Sequence, residues 1–159
     1  MRKFIYIIIV LVAALLISIT MKTKPDPPLK VGDKIPTFSL LDQDGNTFNS
    51  NSVIGKQPAI IYFYPKDDTP GCTKEACKFR DEFEVFTELN AAVIGISSDD
   101  VASHKKFADK YNLPFTLLAD IDKKVRQLFG VPNSVLGLIP GRVTYVINAK
   151  GYITYIFEK

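Results

Sequence analysis

The sequence predicts an α/β fold with a mixed central sheet flanked by helices. Three observations carry this. Ala59–Tyr64 and Ala92–Ile96 are nearly continuous apolar runs, as expected of central strands buried on both faces. Between and after them, apolar residues recur at helical spacing. Finally, Arg142–Ile147 and Tyr152–Phe157 flank an Asn148-Ala149-Lys150-Gly151 turn and read as an antiparallel hairpin. Strand-helix-strand-helix followed by such a hairpin is an α/β pattern.

Residues 1–24 read as a leader. Arg2 and Lys3 precede an uncharged, mostly Ile/Leu/Val stretch from Phe4 to Met21. Its length is at the lower edge for a membrane-spanning helix and above that of a usual signal peptide core. The nearest cleavage-like triplet, Ser18-Ile19-Thr20, is weak, so residues 4–21 are expected to form an uncleaved membrane anchor. The catalytic domain is then expected on the extracytoplasmic side. Secretion after cleavage and an anchor facing the cytoplasm are the alternatives. Positive charges flank both ends and do not decide the orientation.

The net charge of +3 belongs to this leader. Without its four basic residues, 16 basic face 17 acidic side chains, which excludes a nucleic-acid reading based on charge. Pro25-Asp26-Pro27-Pro28 is a stiff spacer (25–28). Residues 29–159 are the length of one ordinary domain.

Within that domain, Val31–Phe48 reads as a hairpin turning at Asp44-Gly45, where glycine supplies the positive φ. Gly55-Lys56 is a second turn. Ala76, Phe79, Phe83 and Phe86 predict a helix from Thr73 packed on the sheet. Val101–Tyr111 is a surface helix with Phe107 on its apolar face. His104 lies among Lys105 and Lys106 and is expected in solvent. Pro114–Leu118 is a short strand, Lys123–Phe129 a helix closed by Gly130, and Val131–Pro140 an apolar loop.

The chemistry concentrates in Tyr62–Cys77, YFYPKDDTPGCTKEAC. Cys72 follows a Thr-Pro-Gly turn at the start of a helix. Open backbone N–H groups and the helix dipole there favour thiolate, the reactive form of the thiol. Cys77 lies five residues on, and no third cysteine exists. Two inert buried thiols or a plain disulfide are the bland alternatives. In a regular helix, positions i and i+5 have Cα atoms roughly 8.5–9 Å apart. A disulfide needs less than about 7 Å, so bridging would require the helix start to unwind. Two cysteines and His104 fall short of a structural zinc set, and no metal is expected.

Pro65-x-x-x-Thr69-x-x-Cys72, and the fuller DDTPGCTKEAC, resemble the active-site motif of peroxiredoxins, in particular the peroxiredoxin Q / bacterioferritin comigratory protein subfamily. The resemblance runs from about Leu29 to Phe157. It implies a thioredoxin-like fold with an N-terminal β-hairpin extension. It also implies a cofactor-free thiol peroxidase, with Cys72 peroxidatic and Cys77 resolving through an intramolecular disulfide. Hydrogen peroxide and organic hydroperoxides are the implied substrates, and a thioredoxin or thioredoxin-like protein the reductant. Thr69, which also reads as a helix N-cap, would place its hydroxyl near Cys72 and a peroxide oxygen. Pro65 would wall the pocket, or simply end a strand. Arg142, otherwise an ordinary strand-end charge, would face the cysteine, and Glu75 would orient it through a bidentate pair. The rival function is a membrane-tethered thiol–disulfide exchange or redox-sensor protein, which needs neither Thr69 nor Arg142.

One departure stands out. The resemblance implies a C-terminal helix over one sheet face, and the sequence reaches Lys159 just after its last strand. Either that face is covered otherwise, as by a partner subunit, or it is an apolar association site, and the chain is expected to be a monomer or weak homodimer.

Overall fold

The computed structural model describes residues 27–134 and 139–158. Seven strands form one mixed sheet: β1 (Ser39–Asp42), β2 (Thr47–Asn49), β3 (Ala59–Phe63), β4 (Ala92–Ser97), β5 (Thr116–Ala119), β8 (Val143–Ile147) and β9 (Ile153–Glu158). Their order across the sheet is β2-β1-β5-β4-β3-β8-β9. β3, β4 and β5 run parallel, with Ile61 beside Ile94 and Gly95 beside Leu117. β8 returns antiparallel on β3, and β9 antiparallel on β8. Two short strands, β6 (Asn133–Ser134) and β7 (Ile139–Pro140), pair inside the segment expected to be a loop.

Side chains alternate across β3, so the strand feeds two cores. Ala59, Ile61 and Phe63 join Ile94, Ile96, Phe129, Tyr145 and Ile147 on one face. Tyr62 and Tyr64 join Cys72, Ala76, Phe107, Phe115 and Leu117 on the other. Gly95 is required by this second core, since a Cβ there would meet the Tyr62 ring at 2.7 Å and Leu117 at 2.8 Å. With glycine in place, Tyr62 lies flat over β4 and packs on Phe79, their ring centroids 4.8 Å apart.

Four helices cover the sheet: α1 (Pro70–Asp81), α2 (Phe83–Glu88), α3 (Val101–Tyr111) and α4 (Lys124–Leu128). The helix expected from Thr73 begins three residues earlier. Pro70, with its fixed φ, occupies the first helical position, where a missing N–H costs nothing. It also ends earlier than the phenylalanine spacing suggests. Glu82 (φ −101°, ψ 11°) breaks it, and Phe83 and Phe86 continue on the separate α2. α3 has the predicted bounds, capped by Asp100 accepting from the Ser103 amide and closed by Asn112 in the left-handed region.

On the outer strand β9, Tyr155 and Phe157 are 55% and 53% exposed. They line one end of an open cleft of about 640 Å³ that continues past Val146 and Ile60 to the start of α1.

Candidate active site

Cys72 is the third residue of α1, inside its first turn rather than ahead of it. The Thr73 amide closes that turn on the Thr69 carbonyl at 2.8 Å. Cys72 is buried and Cys77 half-buried, and both thiols are free. They share one unbroken helix, so their Cα atoms stand roughly 8.5–9 Å apart, beyond disulfide reach.

Arg142 comes to this thiol from the other end of the domain sequence. It immediately precedes β8, whose Val143 pairs with Phe63 at the end of β3. That register places Arg142 beside the loop leaving β3. Its Nη2 donates to Cys72 Sγ at 3.2 Å, and its Nη1 donates to Glu75 Oε2 and to the Gly71 carbonyl. The contact with Glu75 uses one guanidinium nitrogen, not the expected bidentate fork, because the second nitrogen is turned to the sulfur. The Arg142 and Glu75 side chains are 18% and 22% exposed. Partial burial acts against the Arg142 charge. The Glu75 carboxylate, then the Cys72 sulfur, more than offset it and hold the guanidinium above its ordinary value.

Thr69 sits at the N-cap position in extended conformation, but its side chain makes no cap. Its Oγ1 donates instead to the Lys66 carbonyl at 3.1 Å. A hydroxyl used as a donor keeps its lone pairs, so Thr69 remains able to accept a hydrogen bond. Pro65 is half-buried where β3 gives way to this loop.

The position in solvent expected for His104 is wrong. His104 is fully buried, because it shares a helical face with Phe107 and Ala108 while Lys105 and Lys106 point away. Its Nδ1 is 2.9 Å from Asp67 Oδ2, and its Nε2 has no partner among the described residues. The buried Asp67 carboxylate also accepts from Ser103 Oγ at 2.8 Å and from the Tyr64 hydroxyl at 2.7 Å. Asp68 next to it accepts from Lys110 Nζ and from the Tyr111 hydroxyl at 2.6 Å. On the other side, buried Arg126 donates to the carbonyls of Tyr64 (3.3 Å) and Gly141 (3.0 Å), the residues just before Pro65 and Arg142. Asp67 and Asp68 open the DDTPGCTKEAC motif but carry no predicted role there, and neither His104 nor Arg126 stands out as a site residue in the sequence. The only local signal is the 104/107/108/111 spacing, which marks His104 as inward.

A free thiol at a helix N-terminus, with a guanidinium aimed at its sulfur, is an arrangement for nucleophilic attack with charge stabilisation beside it. Residues 31–156 match the model of the AhpC/TSA family. The chain belongs to the AhpC/TSA family. Within it, the similarity is to the peroxiredoxin Q branch. The chain is 55% identical over 127 residues to chloroplastic peroxiredoxin Q of Triticum aestivum, covering 80% of this chain and 58% of that protein. Chloroplastic peroxiredoxin Q of Sedum lineare is 49% identical, with 80% and 68% covered. Among solved structures, peroxidoxin BcpB of Mycobacterium tuberculosis superposes with a TM-score of 0.75 at 36% identity, covering 82% of this chain and 86% of that one. The architecture is therefore the thioredoxin-like peroxiredoxin fold.

The curated relatives overturn the expected membrane-anchored, extracytoplasmic placement, since both peroxiredoxin Q proteins above are named as chloroplastic. Among the described residues no helix is long and apolar enough to cross a membrane. Residues 4–21, on which the anchor rested, lie outside the described residues.

Proposed function

We propose that this domain is a thiol peroxidase that reduces hydrogen peroxide and organic hydroperoxides. The observation that carries the reading is the Arg142 Nη2–Cys72 Sγ contact of 3.2 Å, with Arg142 held by Glu75. Disulfide exchange alone has no use for it. Family membership supports the same reading.

The Cys72 thiolate attacks the terminal peroxide oxygen. An S–O bond forms, the O–O bond breaks, and the departing oxygen leaves as water or alcohol after taking a proton. Cys72 becomes sulfenic acid. Thr69 Oγ1 accepts from the peroxide O–H, Arg142 meets the developing negative charge, and the half-buried Pro65 limits water around the sulfur. The first turns of α1 then unwind, and the Cys77 thiolate displaces hydroxide from the sulfenic sulfur to give an intramolecular disulfide. A thioredoxin-type dithiol reduces that disulfide by exchange. Glu75 supports Arg142 and touches no reacting atom.

Stopped-flow loss of hydrogen peroxide tests this with the reduced full-length chain. Wild type should turn over with a dithiol reductant, Cys72→Ser should be inactive, and Cys77→Ser should consume one equivalent and stall. Wild type no faster than free cysteine would sink the reading.

A further inference from the structure

The Thr69 hydroxyl bonded to the Lys66 carbonyl closes a four-residue turn just ahead of α1. Its two central residues, Asp67 and Asp68, are the two that α3 grips. Asp67 is held by Ser103 and His104, and Asp68 by Lys110 and Tyr111. The two grips are seven residues apart on α3. That is two turns, or about 10 Å along one face of a single helix. We infer that His104, through Asp67, is a positioning residue for the peroxide step: it fixes the turn that aims the Thr69 hydroxyl. The inference rests on the role proposed for Thr69.

Three features point to positioning rather than to packing alone. A buried carboxylate–histidine contact is weak evidence for stability, since apolar side chains of similar volume commonly serve as well. Here the buried histidine also brings a second polar ring nitrogen into the core, which a leucine would not. The imidazole is thus present for the sake of Nδ1 and its hydrogen bond to Asp67. Second, Asp68 has φ 54°, in the left-handed region that Asp adopts more readily than most residues but that still takes a constraint to hold it there. Lys110 and Tyr111 supply that constraint. Third, the Asp67 amide donates to Asp99 Oδ2 at 2.9 Å, so backbone as well as side chain is tied at this point. The strained turn is fixed at both central residues, and the residue it delivers is Thr69.

The test is the single-turnover rate of peroxide consumption by the full-length protein in a Cys77→Ser background, where resolution does not enter. Sub-ångström to ångström misplacement of a reacting group costs up to about a hundredfold. His104→Leu should slow the step by roughly tenfold or more. His104→Asn, whose amide N–H can reach Asp67, should recover most of the loss. Thr69→Val combined with His104→Leu should be no slower than Thr69→Val alone, because both act through one hydroxyl. A His104→Leu protein that is folded by thermal melt and reacts at the wild-type rate overturns the inference. So does a double variant in which the two losses multiply. If Thr69→Val itself keeps the wild-type rate, the proposed role of Thr69 fails, and this inference with it. Should His104→Leu not fold, His104→Met, an adaptable apolar side chain that cannot donate to Asp67, decides the matter. A several-fold loss supports positioning, and an unchanged rate overturns it.

Discussion

Two regions hold the start of α1, and they are built differently. From one side α3 grips Asp67 and Asp68, just ahead of the helix, with a buried carboxylate at its centre. From the other side Arg142 grips Gly71, Cys72 and Glu75, inside the first two turns, beside an open cleft. The first set of contacts touches nothing that must move. The second touches residues of the helix start, which would have to unwind if Cys72 and Cys77 are to meet, since a continuous helix keeps them apart. Pro70, which has no N–H to bond, stands at the boundary. The difference teaches that the segment around Cys72 has a frame on its N-terminal side and, if the proposed cycle holds, a clasp on its C-terminal side that must release. Each half of that comparison can be broken separately.

The largest effect should come from the clasp. Arg142→Ala removes the only side-chain donor to the sulfur among the described residues. Loss of one preorganised donor of this kind costs about 100- to 1000-fold in rate. Rapid-mixing measurements of peroxide loss should show that drop, with the fold intact by circular dichroism. A drop under threefold would mean the clasp is structural only. For the frame, Asp67→Ala should be read as stability. It leaves the Tyr64 and Ser103 hydroxyls and His104 Nδ1 without their acceptor. Breaking such a buried set by removing one partner costs about 3 kcal/mol. Urea denaturation checks this, and a loss below about 0.5 kcal/mol, the range of ordinary surface changes, would contradict the frame.

Glu75→Gln should act more gently on the clasp. Burial works against the Arg142 charge, and Glu75 is the chief group that offsets it. The neutral amide still accepts a hydrogen bond but no longer balances the charge, so a loss of about tenfold is expected, equivalent to about 1.4 kcal/mol. Iodoacetamide labelling of Cys72 at neutral pH should fall in step with the peroxide rate. Unequal changes would mean Glu75 has a role beyond holding Arg142.

The same division governs what could be read from the sequence. The fold is carried by local patterns: the apolar runs of β3 and β4, the Val101–Tyr111 periodicity, and the turns at Asp44-Gly45 and Asn148–Gly151. Where the pattern ran across a break, as from Phe79 to Phe83 and Phe86, reading failed. No proline or glycine marks Glu82, where the helix divides. In the site, Pro65, Thr69, Cys72 and Cys77 are legible because they are neighbours in one motif. Arg142, 70 residues away, is visible only by resemblance to a family. The frame was missed because a contact between Asp67 and His104, 37 residues apart, leaves no local trace. The lysines beside His104 suggested solvent, while its helical face dictated burial.

The smallest predicted effect lies in the outer half of the frame, and its sign is fixed by electrostatics. Hydrogen bonds from Lys110, then Tyr111, hold the Asp68 carboxyl below its ordinary value of 3.8. A carboxylate depressed in the folded state adds stability above its unfolded value and loses it as pH falls through that value towards the folded one. The contribution is therefore complete above about pH 5 and fades below 3.8. Wild type should melt slightly above Asp68→Asn at neutral pH, and the two curves should converge in acid. Because Asp68 and Lys110 are solvent-exposed, 0.5 M salt should shrink the gap at neutral pH, whereas the Asp67→Ala deficit, being buried, should persist. A gap at Asp68 that is constant with pH would mean that a hydrogen bond independent of charge, such as that from the Tyr111 hydroxyl, sets the cost of the substitution rather than the ion pair. In that case Tyr111→Phe should close most of the gap at every pH.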